Sequence, residues 1–438
     1  MISLESRLHA ALQPWLAAPA WRVALSGGLD STVLLHLLVR LRERESLPAL
    51  GAIHVHHGLQ AAADAWPAHC RQLCAALGVP LRVEYVQVEA GASLERAARE
   101  ARYAAFARHL GAGELLLTGQ HRDDQAETLL FRLLRGAGVR GLAGMPARRA
   151  LGRGQLLRPL LGVSRAELQA YAEQQGLRWV EDPSNADSRL ARNFLRHEVL
   201  PPLARHWPQA LQNLARSAAH LREAQDLLDE LAVGDLAPAR LAGEFAWLNL
   251  PALRLAALRE LSPSRQRNAL RHWLAPLTPL PDSAHWAGWD ALRDAAADAA
   301  PIWRLAAGEL RRADERLWWL AGDWLRQPLA PGAWDMPAQP LALPGNGWAS
   351  LQGSGPRQGL QIRYRTGGEV LALPGRGHRD LKRLLNERGV PAFVRGRLPL
   401  LYRGEALLAV ANLPGIDGSQ LGDWRLCWQP PTNAQGLS

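Results

Sequence analysis

The chain has 438 residues, 48% of them hydrophobic and 21% charged, and carries a formal net charge of +10 at pH 7. This length predicts two or three domains with buried cores, and no stretch approaches the roughly 20 apolar residues of a membrane-spanning helix. Three cysteines exclude a disulfide framework, and a start without a basic and then an apolar segment predicts a cytoplasmic location. The basic charge indicates a polyanionic partner.

A short amphipathic helix is predicted over residues 1–20, ahead of a strand, a glycine-rich turn and a second helix. The turn is the first candidate site, and its residues are Ser26, Gly27, Gly28, Leu29, Asp30 and Ser31. Adjacent glycines let backbone N–H groups approach a phosphate closely, and the following helix points its positive dipole end at the same place. An acid there repels phosphate unless a hard cation bridges the two, so Asp30 predicts a Mg²⁺–nucleotide site. The alternative is a tight turn in which Asp30 only caps the helix.

Further strands alternate with helices; the strands are predicted at residues 51–56, 81–88 and 114–118, and the helices at 65–77 and 93–110. This alternation indicates a doubly wound parallel sheet of the α/β class, which binds ligands at the carboxyl ends of its strands. His54, His56 and His57 close the second strand. No cysteine or pair of carboxylates joins them to form a zinc site. Because the end of this strand should lie beside the glycine-rich turn, we expect His56 to line the nucleotide pocket.

The helix predicted to start at the N-cap Ser93 carries Arg96, Arg99 and Arg102 at a spacing of three. This pattern is as typical of a solvated basic face as of a phosphate-binding one. The next predicted helix, at residues 125–134, follows His121 and brings Asp124 and Glu127 to one face near its N-terminus. Acids at this position are good caps, but they should also face the crevice of Asp30, where gathered carboxylates suit a hard cation or a general base.

Several motifs occur in a fixed order along the first 196 residues: SGGLDS at 26–31, HVHHGL at 54–59, REARY at 99–103, HRDDQAET at 121–128, RGAG at 135–138, RPLL at 158–161, WVEDPSN at 179–185 and RNFLR at 192–196. Together they resemble the tRNA(Ile)-lysidine synthetase family of the PP-loop ATP pyrophosphatases. The resemblance implies that the protein uses ATP and Mg²⁺ to adenylate the C2 oxygen of cytidine 34 in a tRNA(Ile) with a CAU anticodon. Free L-lysine then displaces AMP, which gives lysidine and changes decoding from AUG to AUA.

The same resemblance implies roles for the candidate residues. Asp30 holds the metal, while Asp124 and Glu127 bind and deprotonate the lysine ammonium group. His121 and Arg102 flank the reacting phosphate. A homodimer is a further expectation.

A helix that opens with a capping box at Ser164 is predicted to run to residue 175, and a long helix is predicted over 208–231. Between them, Arg192 and Arg196 follow a loop rich in Asp, Asn and Ser. We expect these two arginines to bind tRNA phosphates, although either is equally placed in the sequence to pair with Glu181 or Asp182.

The C-terminal part of the chain is strongly basic, with eleven basic and three acidic residues from Arg357 to Arg403, a net of +8. A basic helix is predicted at residues 378–388, where Arg379, Lys382 and Arg383 should bind phosphates without reading sequence. Ahead of it, residues 301–320 predict a hairpin, and the tryptophans of residues 232–325 are more typical of a core than of base stacking.

These features predict four regions: a PP-loop, Rossmann-like catalytic domain at residues 1–215, a mostly helical middle domain at 216–325, a Pro/Gly-rich linker at 326–359 and a small α+β tRNA-binding domain at 360–430. Two alternatives to lysidine formation stay open. A tRNA 2-thiolation enzyme would use the same adenylation but needs reactive cysteines, and a non-catalytic tRNA-binding protein would need no carboxylates facing a polyanion.

Overall fold

The computed structural model describes residues 3–59, 61–88, 94–241, 245–282, 284–296, 299–329, 332–375 and 377–433, so the predicted N-cap Ser93 lies outside the described residues. Two units divide the chain, Met1–Leu227 and Leu228–Ser438. Within the described residues, none of the helices combines the length and the apolar character needed to cross a membrane.

The first unit is built on a six-stranded sheet with the order β3-β2-β1-β4-β6-β5. Its strands are β1 Ala20–Ala24, β2 Ala49–His56, β3 Leu81–Tyr85, β4 Leu115–Leu117, β5 Arg148–Leu151 and β6 Gly154–Leu157. All neighbouring strands are parallel except the edge strand β5, which is antiparallel to β6. The predicted doubly wound parallel sheet is therefore confirmed.

Helices pack on the sheet because its central strands are apolar on both faces: Trp21 and Val23 of β1 are fully buried, as are Leu116 and Leu117 of β4. The helices of this unit are α1 Leu4–Leu12, α2 Leu29–Arg42, α3 Trp66–Ala76, α4 Leu94–His109, α5 Arg122–Leu133, α6 Val139–Leu142, α7 Arg165–Gln174, α8 Ala191–Phe194, α9 Leu200–His206 and α10 Ala210–Leu236, which continues into the second unit. Strand order reverses between β1 and β4, so the turns after these two strands frame a crevice, the usual ligand site of such sheets.

Helix α5 begins three residues earlier than predicted, at Arg122. The cause is a cap that the sequence pattern hides: the Asp124 carboxylate accepts the backbone N–H of His121 at 3.1 Å. The capping box predicted at Ser164 is confirmed, because Ser164 Oγ accepts from the N–H of Glu167 at 3.2 Å and the Glu167 carboxylate accepts from the N–H of Ser164 at 2.7 Å.

The second unit opens with a four-stranded sheet of order β7-β10-β9-β8. Its strands are β7 Ala252–Arg254, β8 Ile302–Leu305, β9 Gly308–Ala313 and β10 Arg316–Leu320, and its helices are α11 Leu255–Arg259, α12 Pro263–Leu274 and α13 Ala287–Asp294. The hairpin predicted at 301–320 is thus a three-stranded meander, with a second turn at Asp314, whose φ is +53°. Trp286, Trp289, Trp303, Trp318, Trp319 and Trp324 are all buried, as expected of core residues.

The C-terminal part contains small antiparallel sheets, β11-β14-β17-β18, β12-β13-β19 and β15-β16. The strands are β11 Ala333–Trp334, β12 Leu341–Ala342, β13 Trp348–Gly353, β14 Leu360–Arg363, β15 Val370–Leu373, β16 Gly377–Asp380, β17 Leu400–Arg403, β18 Ala406–Val410 and β19 Trp424–Gln429, with helices α14 Leu381–Glu387 and α15 Ala392–Arg395. The basic helix predicted at 378–388 is therefore shorter, since its first three residues belong to β16.

The stretch 326–359, predicted as a linker, contributes strands β11, β12 and β13 to these sheets. Trp334 and Ala349 within it are buried in a core shared with Trp318 and Trp324 of the preceding region and with Leu381 of α14. Its prolines and glycines serve turns between strands rather than a flexible spacer, because Gly345, Gly347, Gly353 and Gly359 all have positive φ.

Candidate active site

The glycine-rich turn joins β1 to α2 as the sequence predicts. Gly27 has a φ of +85°, and a Cβ at this position would lie 3.1 Å from Val180 Cγ2 and 3.2 Å from Cys70 Sγ. The two serine hydroxyls are 3.0 Å apart, and Ser26 Oγ accepts the N–H of Gly28 at 3.3 Å. The loop is thus held in shape by its own side chains at the positive end of α2, an arrangement suited to phosphate.

A second glycine matters for the same turn. Gly119, which follows β4, lies so close to the start of α2 that an added Cβ would be 2.9 Å from both the carbonyl carbon and the carbonyl oxygen of Asp30. The loops after β1 and β4 therefore touch backbone to backbone, which only glycine permits here.

We expect Gly119→Ala to destabilise the protein by about 1–3 kcal/mol, because backbone atoms cannot move aside as a flexible side chain would. The measurement is urea unfolding. Gly138→Ala is the matched control: nothing lies within 4 Å of the added Cβ, and the φ of −77° suits alanine. An equal loss of stability in the two variants would contradict the role given to Gly119.

Asp30 and the buried His121 face each other across this contact. His121 Nε2 lies 3.7 Å from Asp30 Oδ1 and 3.5 Å from Asp124 Oδ2, and its side chain is 1% exposed. Within the part of the chain that the structure describes, neither ring nitrogen of His121 nor Asp30 Oδ1 has a hydrogen-bond partner, although all are buried. Burial raises the pKa of Asp30, while His121 and Arg165 act in the opposite direction. Buried polar atoms without partners indicate that this site is completed by a ligand.

Three charged side chains form a tight group beside Asp30. The Arg196 guanidinium holds Glu127 with two hydrogen bonds of 2.6 and 2.9 Å and reaches Asp124 Oδ1 at 3.1 Å. Arg196 lies in a π-helical turn, Leu195–Val199, and its side chain contacts α5 through these bonds. Glu127 is buried, and burial raises the pKa of its carboxyl while Arg196 lowers it. The two carboxylates and one guanidinium leave a net charge of −1.

The remaining predicted residues of this unit lie around the crevice. His56, at the end of β2, has Nε2 3.3 Å from Asp64 Oδ1 and its ring 5.4 Å from that of Tyr85. Arg102 on α4 is close enough to His57 to lower the pKa of that imidazole, after burial, which is the larger cause. Arg192 is exposed and donates to Thr128 Oγ1 at 3.4 Å. Arg192 and Arg196 thus face different partners, and Arg196 points into the carboxylate group.

The three predicted phosphate-binding residues of the second unit are on β16 and α14. Lys382 and Arg383 are exposed, and Arg379 is half-buried. Arg379 and Arg383 both approach Glu387 Oε1, at 3.4 and 3.0 Å. Exposed ion pairs of this kind are weak, so both guanidinium groups are available to a stronger anion such as phosphate.

Comparison with known proteins agrees with the geometry. Three family models match the chain: PP-loop domain at residues 2–203, TilS substrate binding domain at 253–318 and TilS substrate C-terminal domain at 360–428. The tRNA(Ile)-lysidine synthase of Pseudomonas fluorescens is 66% identical over 100% of this chain and 99% of its own length. The chain belongs to the TilS family. Proteins of the same name from Pseudomonas aeruginosa (64% identical, 100% of this chain and 99% of its own length) and Escherichia coli O157:H7 (42% identical, 89% and 91%) also match.

As a TilS family member, the protein has a PP-loop domain, which includes the turn after β1. Sequence reasoning did not single out three residues that shape this site. Gly119 makes the close contact described above, Arg165 Nη1 lies 3.6 Å from Asp30 Oδ2, and the N–H of Val180 donates to the Gly27 carbonyl at 2.9 Å. Val180 belongs to the WVEDPSN motif, and Arg165 follows the capping residue Ser164, but nothing local in the sequence reveals the distant partner of either residue.

Proposed function

We propose that this protein forms lysidine on tRNA(Ile): it uses ATP to adenylate cytidine 34 of the CAU anticodon and then joins free L-lysine to C2 of that base. The observation that carries the proposal is the 64–66% identity to tRNA(Ile)-lysidine synthases over the full chain. The geometry of the crevice supports it, because a phosphate-binding turn and a carboxylate pair meet at the ends of β1 and β4.

The first half-reaction requires the C2 oxygen of cytidine to attack the α-phosphorus of ATP, with pyrophosphate as the leaving group. The N–H groups of the turn and the hydroxyls of Ser26 and Ser31 bind the phosphates, and Arg102 and His121 stabilise the negative charge on the oxygens of the α-phosphate in the transition state. His121 is suited to this because its buried nitrogens have no fixed partner among the described residues.

Asp30 is the residue that would hold Mg²⁺. The fit rests on Asp30 Oδ1, a buried carboxylate oxygen that lacks a hydrogen-bond partner within the described residues and belongs to a ligand type that Mg²⁺ prefers. When bound, the ion supplies charge neutralisation for the phosphates of ATP. Arg165 Nη1, 3.6 Å from Asp30 Oδ2, places a positive charge beside that carboxylate.

The second half-reaction requires a lysine ε-amine that is bound and then loses a proton. The group of Asp124, Glu127 and Arg196 carries a net charge of −1, which matches one ammonium group. Arg196 fixes both carboxylates, so they do not have to be ordered when lysine binds. The raised pKa of Glu127 makes it the better proton acceptor of the two. The neutral amine attacks C2, the C2–oxygen bond breaks and AMP leaves.

The structure gives no support to 2-thiolation. Cys70 and Cys74 are buried in α3, and burial raises the pKa of their thiols to about 12 and about 11, so both are protonated at neutral pH. A protonated buried thiol is a poor nucleophile and a poor carrier of sulfur.

The proposal is tested by product identification. Purified protein is incubated with ATP, Mg²⁺, L-lysine and an unmodified tRNA(Ile) transcript, which is then digested and analysed by mass spectrometry. We expect the mass of lysidine at position 34 and none in a transcript with uridine 34. A cytidine that stays unmodified while the protein is folded and binds the transcript would refute the proposal. The homodimer stays a prediction, tested by sedimentation equilibrium.

The C-terminal basic residues provide a further test of tRNA binding. Deleting residues from 360 onward would expose the core that they share with Trp318 and Trp324, so side-chain variants are the cleaner experiment. We expect Lys382→Ala/Arg383→Ala to weaken tRNA binding and to lower the slope of log K against log salt by about 1.5, since each lost phosphate contact contributes about 0.7–0.9. Arg304→Ala/Arg326→Ala removes two positive charges from side chains that are 81% and 80% exposed and should leave the slope unchanged. Equal slopes for both pairs would refute the role of α14.

A further inference from the structure

Tyr103 of α4 lies among arginines. The guanidinium carbons of Arg99 and Arg149 are 5.0 and 4.6 Å from the centroid of its ring, within the range of cation–π contact. Arg158, directly after β6, is buried and lies close enough to influence the phenol. We call Tyr103, Arg99, Arg149 and Arg158 the Tyr103 cluster.

The positive charge of the Tyr103 cluster has no counter-charge. Among the described residues, no carboxylate oxygen lies within 4.0 Å of its three guanidinium groups. Their hydrogen bonds go to uncharged carbonyls and to the phenol of the cluster: Arg158 Nη1 donates to the Pro146 carbonyl at 2.6 Å, Arg149 Nη1 donates to the Ala150 carbonyl at 3.3 Å, and Arg158 also hydrogen-bonds Tyr103. Arg158 is 4% exposed, and its Nε has no hydrogen-bond partner in the described part of the chain. A buried cation in this state is costly unless an anion joins it.

The pKa values of Tyr103 and Arg158 are both shifted in the direction that an excess of positive charge produces. Burial raises the pKa of the Tyr103 phenol, but Arg99, Arg158, Arg102 and Arg149 together outweigh it, so the pKa lies below its ordinary value. The pKa of Arg158 is lowered by burial and, to a smaller extent, by Arg149 and Arg99, which together outweigh the opposite effect of Tyr103. The local potential is therefore one that attracts an anion.

The cluster lies at the same edge of the sheet as the candidate active site. Leu157, the residue before Arg158, accepts hydrogen bonds from the N–H and the hydroxyl of Thr118 at 3.0 and 3.2 Å. Thr118 is followed in the chain by Gly119 and, two residues later, by His121. Beyond the cluster, Arg132 continues the positive surface: burial lowers its pKa, and the nearby cations Arg192, Arg222 and Arg99 lower it further.

We propose that the Tyr103 cluster binds a backbone phosphate of the tRNA beside the nucleotide that is modified. The inference rests on the proposed function. A polymer phosphate fits better than a phosphate of ATP, because the nucleotide already has the N–H groups and hydroxyls of the turn after β1, whereas Arg99 and Arg192 are exposed and extend the positive surface outward. The cluster would hold the anticodon loop in place by charge, without reading its sequence.

The test compares two adjacent arginines of β5. Arg149 faces the Tyr103 ring, whereas the side chain of Arg148 lies over Trp15, with its guanidinium carbon 5.6 Å from that ring. Arg149→Ala and Arg148→Ala therefore remove the same charge from neighbouring residues of one strand. For the wild type and both variants, the Kd for unmodified tRNA(Ile) is measured by filter binding from 0.05 to 0.3 M salt, without ATP. We expect Arg149→Ala to weaken binding about fivefold at 0.15 M salt and to reduce the salt slope by about 0.7–0.9, with no change for Arg148→Ala.

Equal Kd values and slopes for the two variants would overturn the inference. So would an Arg149→Ala variant that binds tRNA normally but is inhibited less by pyrophosphate, because the anion would then belong to the nucleotide. Arg99→Ala/Arg149→Ala provides the second measurement and should reduce the slope by about 1.5. This test of the Tyr103 cluster can be distinguished from the test of the proposed function, because tRNA binding is measured without catalysis. If the proposed function were wrong, the wild-type protein would leave cytidine 34 unmodified.

Discussion

Asp30→Asn is expected to abolish lysidine formation, with a loss of at least about 1,000-fold in the rate of AMP release. The reason is that an uncharged amide would not hold the Mg²⁺ ion that neutralises the phosphates of ATP. The affinity for tRNA should change by less than about twofold, since Asp30 lies in the nucleotide turn. Single-turnover assays with saturating tRNA measure the first quantity and filter binding the second. Substantial residual turnover with Mg²⁺ would contradict the role of Asp30 as the metal ligand.

The same substitution should stabilise the protein without ligands. Because the pKa of Asp30 is raised in the folded state, the ionised carboxylate disfavours folding at every pH above that pKa, and this penalty shrinks as the pH falls through it. The gain in stability of Asp30→Asn should therefore be largest near pH 8 and small near pH 4, as measured by urea unfolding with Mg²⁺ chelated.

Asp187→Asn is the matched control, because its pKa shift has the opposite sign. The hydrogen bonds from Arg189 lower the pKa of Asp187 to about 2, so its ionised form stabilises the folded state above the unfolded-state pKa, and this contribution is lost only as the pH falls toward 2. We expect Asp187→Asn to be neutral or slightly destabilising at pH 8 and to keep its activity. A stability gain for Asp187→Asn, or a loss for Asp30→Asn, at pH 8 would contradict the electrostatic account.

The second large effect is expected at the Glu127–Arg196 pair. Glu127→Gln should raise the KM for lysine about 100-fold, with the KM for ATP within about twofold, because the ammonium group loses one of two carboxylates in a buried site. Steady-state kinetics with each substrate varied in turn measure both values. A KM for lysine that stays at the wild-type value would assign lysine to another site.

A double-mutant cycle measures how much the interaction between Glu127 and Arg196 contributes to the free energy of unfolding, separately from its role in catalysis. Either Glu127→Gln or Arg196→Gln leaves a partly buried charge without its main partner, and we expect each to cost about 2–3 kcal/mol, less than for a fully buried pair because Arg196 is 29% exposed. The double variant should cost less than the sum of the two single variants by about 1–2 kcal/mol. Strict additivity in urea unfolding would show that the two side chains do not depend on each other.

Local patterns predicted the parts of the site that are built from consecutive residues. The glycines and serines of the turn after β1, the capping box at Ser164 and the apolar strands all follow from spacing over a few residues, and the structure has each of them. The crevice itself followed from the rule that ligands bind at the carboxyl ends of parallel strands. The role of Arg102 came from resemblance to a family and that of Asp30 from an acid in a phosphate-binding turn, and both stay predictions until they are measured.

Long-range contacts set the limit of that reasoning. Nothing near Arg196 in the sequence indicates that its side chain pairs with Glu127, 69 residues away, rather than facing solvent. Composition also failed for residues 326–359, because prolines and glycines suit the turns of short antiparallel strands as well as they suit a linker. The positive charge around Tyr103 is likewise visible only in the structure, where Arg99 and Arg149 lie over the ring and Arg158 lies beside the phenol.

The most direct test of the account is the stoichiometry of one reaction. Wild-type protein is incubated with ATP, Mg²⁺, radiolabelled lysine and unmodified tRNA(Ile), and both AMP release and label in acid-precipitable RNA are followed over time. The account predicts one AMP for each lysine incorporated, and no label when ATP or cytidine 34 is missing. AMP release without incorporation of label would leave adenylation in place and refute lysine as the nucleophile, and absence of both would contradict the proposed function.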